Sequence, residues 1–205
     1  MAESSFLPAL RDYVKFDAES VARLQAMRTR IRPYHDRIVD QFYSAILEDP
    51  GARSVLKSEA QVERLKRSLS EWLEGLFTGP YDDAYFAKRS RIGRVHVKVG
   101  LEQRYMLGAM NVIRVGLHQA VSDSAPDGLG VFPDHSAIDR ICDIELAIML
   151  ETYREAYVLK KTAESESLAT MGRLTAGLAH EVRNPLNAAK LQLDVLRRTA
   201  SRVED

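Results

Sequence analysis

Cysteine is almost absent from this 205-residue sequence: Cys142 stands alone. That excludes an intramolecular disulfide and any multi-cysteine zinc site, and it fits a cytoplasmic address, where disulfides are rare. Net charge is missing too. Lysine plus arginine and aspartate plus glutamate both number 29, a formal balance of +0. No basic field speaks for nucleic acid, and no acidic tail speaks for disorder. No uninterrupted apolar run reaches the ~18 residues that a membrane span requires, so no membrane partner is expected. The N-terminus has no charged region leading into an apolar run, so no signal peptide is expected either. Neither a strand pattern nor an internal repeat is found, and each punctuating Gly or Pro falls between helical patterns.

What is present is 45% hydrophobic and 28% charged residues, enough for one sizeable core plus an appendage. The fold class is all-α. Residues 5–16 read as a short leading helix around Pro8. Asp17 can cap a second helix, on which Val21, Leu24 and Met27 share a face before Pro33. A third runs from about Asp36 to Glu48, and its broad apolar side holds Ile38, Val39, Phe42, Tyr43, Ile46 and Leu47; Pro50-Gly51 stops it. Ser58 and Gln61 make a Ser-x-x-Gln capping box for a fourth helix bearing Leu65, Leu69, Trp72 and Leu76. Gly79-Pro80 ends that one. A further helix starts near Asp82 or Asp83, and another spans Leu101 to about Ser124. A loop with Pro126, Gly128, Gly130 and Pro133 follows, with an Asp-Gly turn. From about His135 to Leu159 the apolar arc is wider than one core-facing stripe, which predicts burial on two sides, as in a homodimer interface.

The stretch Arg91-Ile92-Gly93-Arg94-Val95-His96-Val97-Lys98-Val99-Gly100 organises the rest. Tyr85, Ile92, His96 and Val99 fall within about 40° of one line at ~100° per residue. Gly100 then ends the helix, as a glycine does where the chain turns with positive φ. A neutral imidazole among aliphatic groups, with no acid in the stretch, suits a ligand to haem iron. A histidine on an apolar face equally serves as a core residue with a satisfied hydrogen bond. His35 and His135 stand at helix starts, which favours exposed or capping roles. His118, late in its helix beside Gln119, favours the surface.

The order of helices, together with Leu76-Phe77-Thr78-Gly79-Pro80-Tyr81-Asp82, Tyr85, Ile92-Gly93-x-x-His96-x-x-x-Gly100-Leu101 and Tyr105, resembles the bacterial sensor globins that precede signalling domains. The resemblance covers roughly residues 5–158 and departs at Glu102-Gln103, where a proline near the helix start would be expected. It implies a globin fold binding haem b (iron protoporphyrin IX), with His96 as proximal ligand of the haem iron. It further implies that Tyr43 hydrogen-bonds a bound gas, although Phe42 beside it competes for the pocket. Leu65, with Leu69, would supply a dry wall opposite His96. Each of these side chains also suits plain core packing.

Residues 160–167 are polar yet lack Gly and Pro, and read as a helical linker. Beyond them Leu168, Met171, Thr175, Leu178 and Val182 recur at three- and four-residue steps, the seam of a coiled coil. Leu178-Ala179-His180-Glu181-Val182-Arg183-Asn184-Pro185-Leu186 resembles the phosphoacceptor box of sensor histidine kinases. With the seam turned inward, His180 lies on the outward face. Glu181 can hold or remove the ring proton, leaving the other nitrogen to attack the γ-phosphate of ATP. Asn184 shares that face, and Pro185 should bend the helix. An exposed His-Glu pair on a solvated helix is the plainer alternative.

The family's second dimerisation helix and Gly-rich nucleotide segment do not follow in this sequence. The chain is therefore expected to be the front part of a longer ATP- and magnesium-dependent kinase, one that receives phosphate at His180 but cannot phosphorylate itself. The expected division is 1–158 as sensor globin, 159–167 as linker and 168–205 as the start of the dimerisation and phosphoacceptor domain. The expected function is sensing of dioxygen, another diatomic gas or redox state, with control of the kinase and transfer to a response regulator. A haem-free interaction module and a gas-storing or detoxifying globin are the rival readings.

Overall fold

A computed structural model describes residues 3–125 and 131–200 of the chain. Among the described residues every regular element is a helix: α1 (Glu3–Tyr13), α2 (Ala18–Ile31), α3 (His35–Glu48), α4 (Pro50–Arg53), α5 (Glu59–Thr78), α6 (Asp83–Lys98), α7 (Gln103–Ser124) and α8 (Val131–Ala200), with a short 3₁₀ turn at Arg32–Tyr34. The chain divides into two compact units, Met1–Ala156 and Tyr157–Asp205, and α8 contributes to both. No described helix is long and apolar enough to cross a membrane.

Helix starts follow local chemistry. The Asp17 carboxylate accepts from the Ser20 amide at 2.9 Å, and the Asp82 carboxylate accepts from Tyr85 at 2.9 Å. Each satisfies an orphan donor of a first turn. The Ser58 hydroxyl accepts from the Gln61 amide, while the Gln61 side chain accepts from Lys57, one residue short of the reciprocal bond of a capping box. Two boundaries differ from expectation. Asp49 accepts from the Gly51 and Ala52 amides, so Pro50-Gly51 opens a further short helix after ending α3. Helix α8 begins at Val131 and absorbs Pro133 into its first turn, where a missing amide costs nothing. The expected loop glycines Gly128 and Gly130, with Pro126, lie outside the described residues.

In the first unit α3 packs on α5 and α7, and α2 packs on the same two helices. The core is built from Leu24, Ile31, Ile38, Leu73, Leu76, Phe77, Leu117, Ile138 and Ile141, all essentially inaccessible. Each such side chain contributes about 1.5–3 kcal/mol on burial. Gly79 has φ +57 and ends α5, and Tyr81 just beyond it donates its hydroxyl to the Leu76 carbonyl at 2.6 Å. That bond tucks the α5–α6 corner under the core. In the second unit residues 157–171 are exposed and helical, and α8 continues through His180 and Pro185 to Ala200.

Candidate functional site

The centre of interest is the end of α6. Val99 caps the helix and Gly100 takes φ +76, a left-handed backbone that a side chain would strain. Gly100 N–H donates to Val97 O at 3.0 Å, and Leu101 N–H donates to His96 O at 3.1 Å. These are the paired bonds of a Schellman cap. His96 therefore sits one turn from a tightly closed helix end, with its own carbonyl fixed by that closure.

The His96 ring is largely withdrawn from water, and its Nδ1 is buried without a hydrogen-bond partner. Burial alone pushes its pKa below the ordinary imidazole value, with no charged neighbour contributing. The ring is thus a neutral nitrogen donor at pH 7. No group of three or more His, Cys, Asp or Glu among the described residues converges on a point where it could hold a metal ion. A lone neutral imidazole with one idle nitrogen fits an axial haem ligand and does not fit a multi-ligand metal centre.

Tyr43 on α3 is 6% exposed and packs edge-to-face on Phe42, with ring centroids 5.2 Å apart. Its hydroxyl makes no hydrogen bond to a described residue, and burial raises its pKa to about 12. It stays a protonated donor. Phe42 is only half-buried. Leu65 and Leu69 on α5 are half-buried and packed against the core.

The predicted apolar line along α6 holds only in part. Tyr85 and Ile92 lie at the core boundary and Val99 is exposed, whereas the residues buried along this helix are Arg89, Ser90 and Gly93. Arg89 is 2% exposed, and its guanidinium lies 4.7 Å from the Tyr85 ring centre and 5.0 Å from that of Trp72. Its Nε stands 2.9 Å from a carboxylate oxygen of Glu145, a wholly buried residue of α8. Tyr85 donates its hydroxyl to the same oxygen. Burial pushes the Glu145 carboxyl up, and Arg89 opposes that rise. Sequence reading passed over both residues. The available clue was one acid inside the apolar run Ile144-Glu145-Leu146, matched by one base seven positions before His96 on the same helix face.

Two expectations about the other histidines are corrected. His35 is 4% exposed and stacks on Phe77 at 6.1 Å, because the corner between α2 and α3 turns inward there. His118 and His135 are both partly buried, with their Nδ1 atoms 2.6 Å apart. The Asp139 carboxylate lies 2.9 Å from His118 Nε2; its acceptance of that proton leaves His118 Nδ1 to accept from His135.

Comparison with known proteins gives the frame. Residues 4–158 match the profile of the protoglobin family. The chain belongs to that family. Residues 170–205 of this protoglobin match the His Kinase A (phospho-acceptor) domain. The chain is 27% identical over 199 residues to the heme-based aerotactic transducer HemAT of Halobacterium salinarum, covering 91% of this chain and 40% of that protein. Over 63 residues it is 43% identical to the sensor protein kinase PilS of Pseudomonas aeruginosa, covering 31% of this chain and 11% of the kinase. It thus spans well under half the length of these curated relatives. Among solved structures, the globin domain of a Geobacter sulfurreducens globin-coupled sensor superimposes with TM-score 0.68 and 31% identity, covering 72% of this chain and 97% of that one. The ferric globin domain of Escherichia coli DosC shares the fold, with TM-score 0.56 at 20% identity, over 70% of this chain and 99% of that one. This protoglobin is therefore related both to globin-coupled sensors and to histidine kinases.

Proposed function

We propose that the chain is the sensory front of a histidine kinase, with haem b held by His96 in a globin domain spanning residues 1–158. The observation that carries this reading is the uncharged, largely covered His96 with its Nδ1 buried and idle, in a protoglobin followed by a phosphoacceptor match. Haem iron, when bound, supplies a site for dioxygen or another diatomic gas and a reversible one-electron change. Every other role falls to the chain. His96 provides a neutral nitrogen donor from a closed helix end. The Tyr43 hydroxyl offers its proton to a bound gas, and Leu65 keeps that side dry. A change in the pull on His96 displaces α6 and the helices packed on it.

The displacement passes through a linker at 159–167 to a phosphoacceptor segment at 168–205, in a homodimer. There His180 is the phosphoacceptor, Glu181 governs its ring proton and Asn184, exposed on α8, orients the incoming group. ATP and magnesium bind in the nucleotide domain of the longer kinase, and a response regulator takes the phosphoryl group. Coupling requires that the ligand bind the two kinase states with different affinity.

The test is an absorption spectrum of the purified chain supplied with haem, wild type beside His96→Ala. An intense Soret band, lost or strongly shifted in the variant, is the expected result. No Soret band in the wild type overturns haem chemistry and leaves a protein-interaction module. Phosphate incorporation into the longer kinase, abolished by His180→Ala, separates signalling from gas storage or detoxification.

A further inference from the structure

Three ties join the His96 helix and the turn that closes it to α8, and they bracket the histidine. Seven residues before it, Arg89 pairs with Glu145, both side chains all but inaccessible, and Tyr85 donates to the same carboxylate. Three residues before it, Gly93 lies against Thr152 so closely that a Cβ there would stand 2.2 Å from the threonine hydroxyl. Five residues after it, the Leu101 carbonyl accepts from the Tyr153 hydroxyl at 2.7 Å, while the Leu101 amide donates to the His96 carbonyl.

The last tie is the most direct. One residue, Leu101, separates the backbone of His96 from the side chain of Tyr153. The first two ties lie one helical turn apart on α6, about 6 Å at ~1.5 Å per residue, and the third lies on the turn that closes the helix. A contact at one point would let α6 pivot, but three spread along it remove that freedom. None has slack: the first is a buried pair that cannot separate without stranding charge, the second is backbone against side chain, and the third is a bonded helix end.

We propose that Tyr153 and Glu145 are positioning residues through which a displacement of His96 is carried into α8. The inference rests on the haem reading given above and adds the route out of the site. Neither residue touches the iron or the gas in this scheme. Each acts by denying α6 the ability to move without α8.

The experiment uses the 205-residue chain loaded with haem and reduced, with carbon monoxide as the probe. Hydrogen exchange is followed at the end of α6, residues 92–98, and in α8, residues 145–156. In the wild type the gas changes exchange in both segments. Tyr153→Phe keeps the ring and loses one hydroxyl, so the fold is retained. It should leave the carbon monoxide spectrum and the α6 response intact and cut the α8 response at least threefold. Glu145→Gln should do the same by a second route, and if that variant does not fold, Tyr153→Phe decides alone.

A merely structural role would shift exchange equally with and without the gas and leave the gas-induced difference untouched. An α8 response of wild-type size in the folded variants overturns the proposal. So does a wild type whose α8 ignores the gas, whether or not α6 responds. Absence of a Soret band before any gas is added is a different failure. It removes the haem reading itself, and the proposed route falls with it.

Discussion

Gly93 and Thr152 meet with no space between helix α6 and helix α8. A Cβ on Gly93 would lie 2.2 Å from the Thr152 hydroxyl and 3.0 Å from its methyl. The hydroxyl is itself committed to the Met149 carbonyl at 2.7 Å, so it cannot swing aside without losing a bond.

Gly93→Ala should therefore destabilise the protein by about 1–3 kcal/mol through overpacking, despite the better helix propensity of alanine. Adding Thr152→Ala removes the hydroxyl and methyl and should restore part of the loss. Urea titration of the single and double variants reads both effects, and a single variant as stable as the wild type would show that α6 and α8 part easily.

Arg89 and Glu145 set up a sharper test. Arg89→Met alone strands a buried carboxylate and should cost about 3–5 kcal/mol. The double change to Met at 89 and Leu at 145 removes both charges and should recover most of that. Chemical denaturation of the haem-free chain is the measurement. Equal losses in single and double variants would contradict a paired role.

These two contacts also mark how far the sequence could be read. Asp17 and Ser58 were legible as caps because a cap needs only three or four neighbouring residues, and the start of α6 was narrowed to Asp82 or Asp83, of which Asp82 is the cap. The same holds for Gly100, whose positive φ closes α6. His96 stood out through spacing and resemblance together, and Tyr43 through the resemblance. Burial of charge was not legible, since pattern reading sends Arg89 and Glu145 to the surface. Only a partner 56 positions away in the chain, as the numbering of the ion pair shows, makes the interior tolerable. His35 was misplaced for a related reason: Phe77, which covers it, comes from α5.

Tyr43→Phe should weaken retention of dioxygen by the haem-loaded chain. One hydrogen bond is worth about 0.5–1.5 kcal/mol, so the dissociation rate should rise roughly two- to tenfold. Stopped-flow release of the gas measures it. An unchanged rate would assign Tyr43 to packing.

Acid should destabilise the haem-free protein. Burial lowers the pKa of His35 and His96 below the ordinary 6.5. The unfolded chain then binds more protons than the folded one, so stability is full above that value and falls as pH drops below it. The urea midpoint should be lower at pH 5.5 than at 7.5, and His35→Phe, which keeps a ring against Phe77, should flatten the dependence. Parallel pH profiles for variant and wild type would exclude His35 as a contributor.

The bond from Tyr153 to Leu101 has a consequence for how this protein can diverge. Leu101 takes part through its peptide alone, giving its N–H to His96 and its carbonyl to Tyr153. Nearly any side chain at 101 preserves both bonds, and only proline removes the donor. The tie thus rests on backbone atoms at position 101 and on a single side chain, the hydroxyl of Tyr153.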